Sequence, residues 1–387
     1  MPVNTLLLLS FQVSTFLVPW LLVIWLTYNA NADSVGQFSY ILALISPLCM
    51  LLASPSRNFI LSSQTLDLQR ALDVRKVLGG LGLILAAVIG FVLQQMTWVL
   101  AIYFVKITEM LYDLGIAQHL KLASHLALIK LNALKWLSIF TVVICSFVVK
   151  DITVLMLLLG GCFVLTSLGL SFFQKINMHG LLAALRDVLP LSLSALVFSL
   201  YFNIPRYVLG NAGETELLAV FTISSFLLMG ALVFINTLMQ ANLHKMAVVI
   251  KNDNSPQLFK IGYRSFFWLL VTYVALQICQ MEWFSVVFWQ AHNQLNANNP
   301  LLNGVYQQVL MLSLGPMLFS FANYFLMATS KHKLLLSITM INAMITLVIA
   351  NAIFINSGML GLLWVINISG LGQFLAVLFF LKKAMAK

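Results

Sequence analysis

Three ionisable residues fall inside one apolar run long enough to cross a membrane: Lys106, Glu109 and Asp113 in WVLAIYFVKITEMLYDLGIAQHL. Spacings of three and then four positions place them on one face of a helix. Charge in hydrocarbon is expensive, so that face must meet other protein or a water-filled cavity. A Lys106–Glu109 ion pair that fixes helix packing satisfies two of the charges and leaves Asp113 needing another partner or a proton. The same face can instead serve substrate passage or ion coupling, with Glu109 or Asp113 taking up the ion.

A second constellation closes the run PLSLSALVFSLYFNIPRYVLGN. Pro205 can loosen the helix, Asn203 offers a hydrogen-bonding amide, and Arg206 can reach lipid headgroups or a phosphate-bearing substrate. Glu282, in a later run, reads either as an interhelical hydrogen-bonding group or as a coupling-ion site. Arg57, just beyond Pro55, either receives an anionic headgroup or follows the charge bias that orients membrane proteins. Conventional catalytic signatures are missing. The six histidines form no close metal-binding set, and the chain contains neither a phosphate-binding Gly-rich loop ending in Gly-Lys-Ser/Thr nor a His-Glu-x-x-His pair. Neither a metal nor a cofactor is expected; the only ion foreseen is a coupling H+ or Na+. The four cysteines lie in apolar runs without metal-ligand spacing.

The elements that position these residues follow from composition. The chain has 387 residues, of which 61% are hydrophobic and only 8% charged, too apolar for a water-soluble domain. A crossing needs about 20 residues, so the length admits about a dozen spans. Apolar runs are expected at about 5–26, 36–54, 77–94, 98–119, 134–149, 152–174, 188–207, 218–240, 265–288, 305–327, 334–354 and 358–381. The first is followed by Ala30-Asn31-Ala32, which has the look of a cleavage site, but no Lys or Arg precedes the run and it is read as a retained span. Part of residues 62–76 has helical spacing and is expected along the membrane surface.

Charge tests the count independently. With both termini cytoplasmic, the inner segments hold 18 of the 21 basic residues, Lys135 among them; the exceptions are Lys106, Lys150 and Arg206. The formal charge of +10 is then explained by orientation and headgroup contact, and nucleic acid is not a partner. The outer connections 27–35 and 289–304 are short and Asn-rich, too small for an outer domain. Twelve spans divide near residue 180 into halves of six, 1–180 and 181–387, whose mutual similarity is thin.

Taken whole, the chain resembles bacterial polysaccharide exporters, the O-antigen or lipid-linked oligosaccharide flippases of the multidrug/oligosaccharidyl-lipid/polysaccharide (MOP) superfamily. The resemblance rests on VGQFSYILALISPLCMLLASPSRNFI, VKITEMLYDLGIAQHLKLASHLALIK and PLSLSALVFSLYFNIPRYVLGNAGETELLAVFTISSFLLMGALVFINTLMQA. It departs from the family near Ser54 to Arg57, where a glycine is often found. It implies an all-α polytopic protein of the cell inner membrane, two six-helix bundles around a central cavity, opening alternately to either side. The implied cargo is an undecaprenyl-pyrophosphate-linked oligosaccharide, with polysaccharide polymerase, glycosyltransferases and membrane lipids as partners. On that reading Arg57, Lys106 and Arg206 compensate the pyrophosphate, Asn203 binds sugar, and Glu109, Asp113 or Glu282 couples an ion; no bond is made or broken, so the chain is not an enzyme. Three alternatives stay open: a small-molecule drug or cation exporter of the same superfamily, a major-facilitator-type transporter, and an integral-membrane polysaccharide polymerase or glycosyltransferase.

Overall fold

A computed structural model describes residues 3–62, 68–121, 124–167, 181–252, 255–280, 300–329 and 331–385. All regular structure among them is helical: α1 (Val3–Asn29), α2 (Ala32–Ser62), α3 (Leu68–Val92), α4 (Met96–Lys121), α5 (His125–Cys145), α6 (Ile152–Ser167), α7 (Leu181–Asn211), α8 (Thr215–Ser224), α9 (Phe226–Lys251), α10 (Ser255–Ile278), α11 (Pro300–Met311), α12 (Leu314–Ala328) and α13 (His332–Met385). Helices are what an apolar chain can form in lipid, because each satisfies its backbone groups within itself.

Nine described stretches are long and apolar enough to cross a membrane. One of them, His332–Leu381, has 50 residues and would be about 75 Å long as a single rod, more than twice the hydrocarbon thickness. It is broken at Gly358, where φ 59° and ψ −149° suit a residue without Cβ, and so supplies two crossings. Helix α4 has the length but carries the three charges that lower its hydropathy, and α6 contributes a shorter apolar helix over Ile152–Thr166. With these, twelve crossings are accounted for.

Several boundaries differ from the sequence expectation, among them the ninth span, which lies at Pro256–Ile278 and not at 265–288, and the eighth, expected at 218–240, which is divided between α8 and α9. The fifth span runs over His125–Cys145, not 134–149, because Lys130 and Lys135 lower the local hydropathy without interrupting the helix. Residues 68–76 are the opening turns of α3, with Ala71, Leu72, Val74 and Arg75 buried, and do not form a separate surface helix.

The chain divides into two compact units, Met1–Leu22 with Ile41–Ser199, and Val23–Tyr40 with Leu200–Lys387; the dividing points fall inside α1, α2 and α7. In the first unit α4 is the hub, packed on α3, α5 and α6. Its register on α3 is pinned by Tyr103, which donates to the Gly79 carbonyl at 2.6 Å, and by Arg75, which donates to the Met110 carbonyl. Leu114 joins Ala71, Leu72, Val74, Leu181 and Ala184 in an apolar cluster below that seam.

In the second unit α12 packs on α13 and α9. The turn before α12 shows how a broken span is repaired. Pro316 has no N–H, and the N–H of Gly315 is left at the helix start without an intrahelical partner. Asn367 of α13 supplies the missing acceptor at 2.6 Å, a cap delivered from another helix. Approach this close needs glycine: a Cβ on Gly315 would collide with the Asn367 backbone, and one on Gly370 with the Gly315 backbone. Across the α13 hairpin, Ser369 accepts from Thr346 at 2.8 Å and donates to Tyr201 at 3.1 Å, while Gln373 donates to Asn323 at 3.0 Å and Thr339 at 3.2 Å.

Candidate functional site

Two lysines of the first unit converge on Glu109, 4% exposed. Lys106, one turn earlier on α4, places Nζ 3.1 Å from Oε2, the pair that the three-residue spacing predicts. The other oxygen, Oε1, lies 3.0 Å from Nζ of Lys135 on α5, a partner 26 positions away that spacing could not reveal. Asp113 lies within electrostatic reach of Lys135. Lys106 retains 16% side-chain exposure, whereas Lys135 has none.

Local sequence explains why α5 turns Lys135 inward. Leu128, Leu131, Asn132, Lys135, Ser138, Ile139 and Val142 recur at helical spacing and form its buried face. Along that face the polar members bind α1: Asn132 donates to the Leu7 carbonyl at 3.0 Å, and Lys135 donates to the Thr15 hydroxyl with its ammonium 4.1 Å from the centroid of the Phe11 ring. From beside that face, half-buried Trp136 also reaches α1, donating to Ser10 at 3.0 Å. This corrects the assignment of Lys135 to a cytoplasmic segment. It is an interior ammonium, held by a carboxylate, a hydroxyl and a π face. The stripe Asn132-Lys135-Ser138 is the sequence signal that points to it.

A different arrangement surrounds Arg206 in the second unit. Helix α7 continues through both Pro190 and Pro205 to Asn211, so Pro205 does not end it. Arg206 donates to Oδ1 of Asn203, 7% exposed, at 2.9 Å and to the Ser225 hydroxyl at 3.4 Å, and its guanidinium carbon is 5.6 Å from the Phe221 ring centroid. Its Nε is buried without a hydrogen-bond partner, as are the hydroxyls of Thr222 and Ser224 on the neighbouring α8. No carboxylate pairs with Arg206 among the described residues. A partly buried guanidinium held by neutral partners, with Nε unpartnered, keeps capacity to donate to an anion.

The same unit carries an aromatic and polar floor that sequence reading did not anticipate. Tyr201 stacks on Phe319 at 3.9 Å between centroids and donates to the Ile366 carbonyl at 2.8 Å. Gln240 donates to the Tyr324 hydroxyl at 3.0 Å, and Ser320 donates to Asn236. Of the remaining candidates, Arg57 lies on α2 with its side chain outside the described residues, as is all of Glu282. Among the described residues no cluster of His, Cys, Asp and Glu is arranged to hold a metal.

No family model matches the chain, and no curated protein matches it. Solved structures do. An outward-facing multidrug resistance MATE family transporter of the MOP superfamily superposes with TM-score 0.63 at 14% identity, over 99% of this chain and 95% of that one. An inward-facing counterpart superposes with TM-score 0.61 at 14% identity, over 100% and 96%. A MOP superfamily transporter from Pyrococcus furiosus, described as having a binding pocket of reversed polarity that suggests a different function, gives 0.63 at 14% identity, over 100% and 96%.

The chain shares its overall fold with these three structures. The likeness extends over 99–100% of the chain. Within this fold the position of Lys135 is the main element missed from sequence, and the Lys106–Glu109 pair the main element found.

Proposed function

We propose that this chain is an alternating-access membrane transporter that exports a small amphipathic organic solute, with ion exchange at Glu109 or Asp113. The observation that carries this reading is the full-length likeness to multidrug resistance transporters, one outward-facing and one inward-facing. Two six-helix lobes, 1–180 and 181–387, with both termini cytoplasmic, complete the proposal. Lys106, Asn203 and Arg206, with Arg57, meet the polar end of the solute; Glu109, Asp113 and Glu282 are the coupling carboxylates.

The second reading is movement of an undecaprenyl-pyrophosphate-linked oligosaccharide from the cytoplasmic to the periplasmic leaflet, with polymerase and glycosyltransferases acting on either side of it. The specific observation in its favour is Arg206, half-buried with neutral hydrogen-bond partners, which suits a phosphate group. The reversed pocket polarity of the Pyrococcus furiosus neighbour supports the idea that this fold accepts cargo of more than one charge.

One reconstitution separates the two. Proteoliposomes of fixed protein orientation are assayed for extrusion of a panel of amphipathic dyes and, in parallel, for appearance of traced lipid-linked oligosaccharide in the opposite leaflet. Protein-dependent dye extrusion that Glu109→Gln abolishes is expected. Oligosaccharide movement without dye movement would replace the first reading by the second, and movement of neither would remove both.

A further inference from the structure

Among the described residues, charged and polar groups from several helices surround the Glu109 carboxylate. From α4 come Lys106 and Asp113, from α5 Lys135, and from α2 the Cys49 thiol within electrostatic reach. From α1 come the neutral Phe11 and Thr15, which hold Lys135 and not the carboxylate. Arg75 of α3 donates to the carbonyl of Met110, the residue next to Glu109 in the chain.

A hard metal cation needs several oxygen ligands and must not share them with another cation. Here each oxygen of Glu109 already faces an ammonium, at 3.1 and 3.0 Å. Lys106 keeps some exposed surface, whereas Lys135 has none and is anchored by Thr15 and Phe11. A sodium ion arriving at Glu109 would have to displace an ammonium that cannot leave.

We propose that Lys135 is a tethered cation standing where a coupling metal ion would bind, and that it closes the Glu109 face to sodium. The word coupling rests on the transport reading above; the exclusion of sodium does not.

The test uses the purified full-length protein in detergent micelles, measuring binding of radioactive sodium and thermal unfolding in sodium chloride against choline chloride of equal ionic strength. The wild type is expected to show no saturable sodium binding and no sodium-specific shift in Tm. Lys135→Met is expected to acquire both, and Lys135→Met/Glu109→Gln to lose both again. Lys135→Gln, which keeps a donor for Thr15, is read in the same way if the methionine variant does not fold. Lys106→Met is expected to stay closed to sodium, because Lys135 remains. Saturable sodium binding by the wild type that Glu109→Gln removes would overturn the proposal. So would a folded Lys135 variant indifferent to sodium, or a Lys106→Met variant that gains sodium binding. Failure of transport in proteoliposomes would count against the proposed function and leave these binding results to stand by themselves.

Discussion

Removing the charge of Glu109 while keeping its shape, Glu109→Gln, should destabilise the first unit chiefly through Lys135. At 3.0 Å and an effective dielectric constant of about 20, the Lys135–Glu109 attraction is about 5 kcal/mol before desolvation is subtracted. Leaving a fully buried ammonium without its carboxylate costs about 3–5 kcal/mol, whereas Lys106, 16% exposed, can rehydrate and adds little. Lys135→Met leaves Glu109 paired with Lys106 and should cost about 1–3 kcal/mol. In the double variant neither the orphaned ammonium nor the half-paired carboxylate is present, so the two costs should not add, and a coupling of about 2–3 kcal/mol is expected. The assay is reversible unfolding in mixed micelles with increasing denaturing detergent, followed by tryptophan fluorescence, for wild type, both single variants and the double. Additive costs, or a Glu109→Gln variant as stable as wild type, would refute the assignment of Lys135 as the buried partner.

Three further outcomes follow from the second unit. Gly370→Leu should force α13 away from α12, because even a Cβ there meets the Gly315 backbone; a loss of about 1–3 kcal/mol in the same unfolding assay is expected, and none would mean that the helices do not approach so closely. Asn367→Ala should strand the Gly315 N–H and cost about 1–3 kcal/mol, while the outward-facing Ile368→Ala, on lipid-exposed surface, should cost far less. Arg206→Lys should impair transport nearly as much as Arg206→Gln, since an ammonium cannot hold Asn203 and Ser225 while presenting a planar fork to an anion; full activity of Arg206→Lys in the proteoliposome assay would show that charge alone is needed there.

The sequence by itself determined those properties that depend on composition and on one helix at a time. Apolar runs longer than the hydrocarbon thickness must become helices, and the fold follows as an all-helical membrane protein of about twelve spans. Lys106 and Glu109 meet because residues three apart on a helix are neighbours whatever surrounds them. The tertiary structure decided which helix supplies the next partner. Lys135 was legible as a basic residue at the edge of a short apolar run, and the orientation bias of membrane proteins gave it an ordinary explanation; only packing α5 against α4 and α1 makes it an interior ammonium. The same holds for Gly315, Asn367 and Gly370, whose spacing is silent until α12 and α13 lie together, and for Tyr201, Ser369 and Thr346, joined across 168 and 23 positions. Local periodicity is written in neighbouring letters, but a buried polar group finds its partner through the packing of helices that lie far apart in the chain.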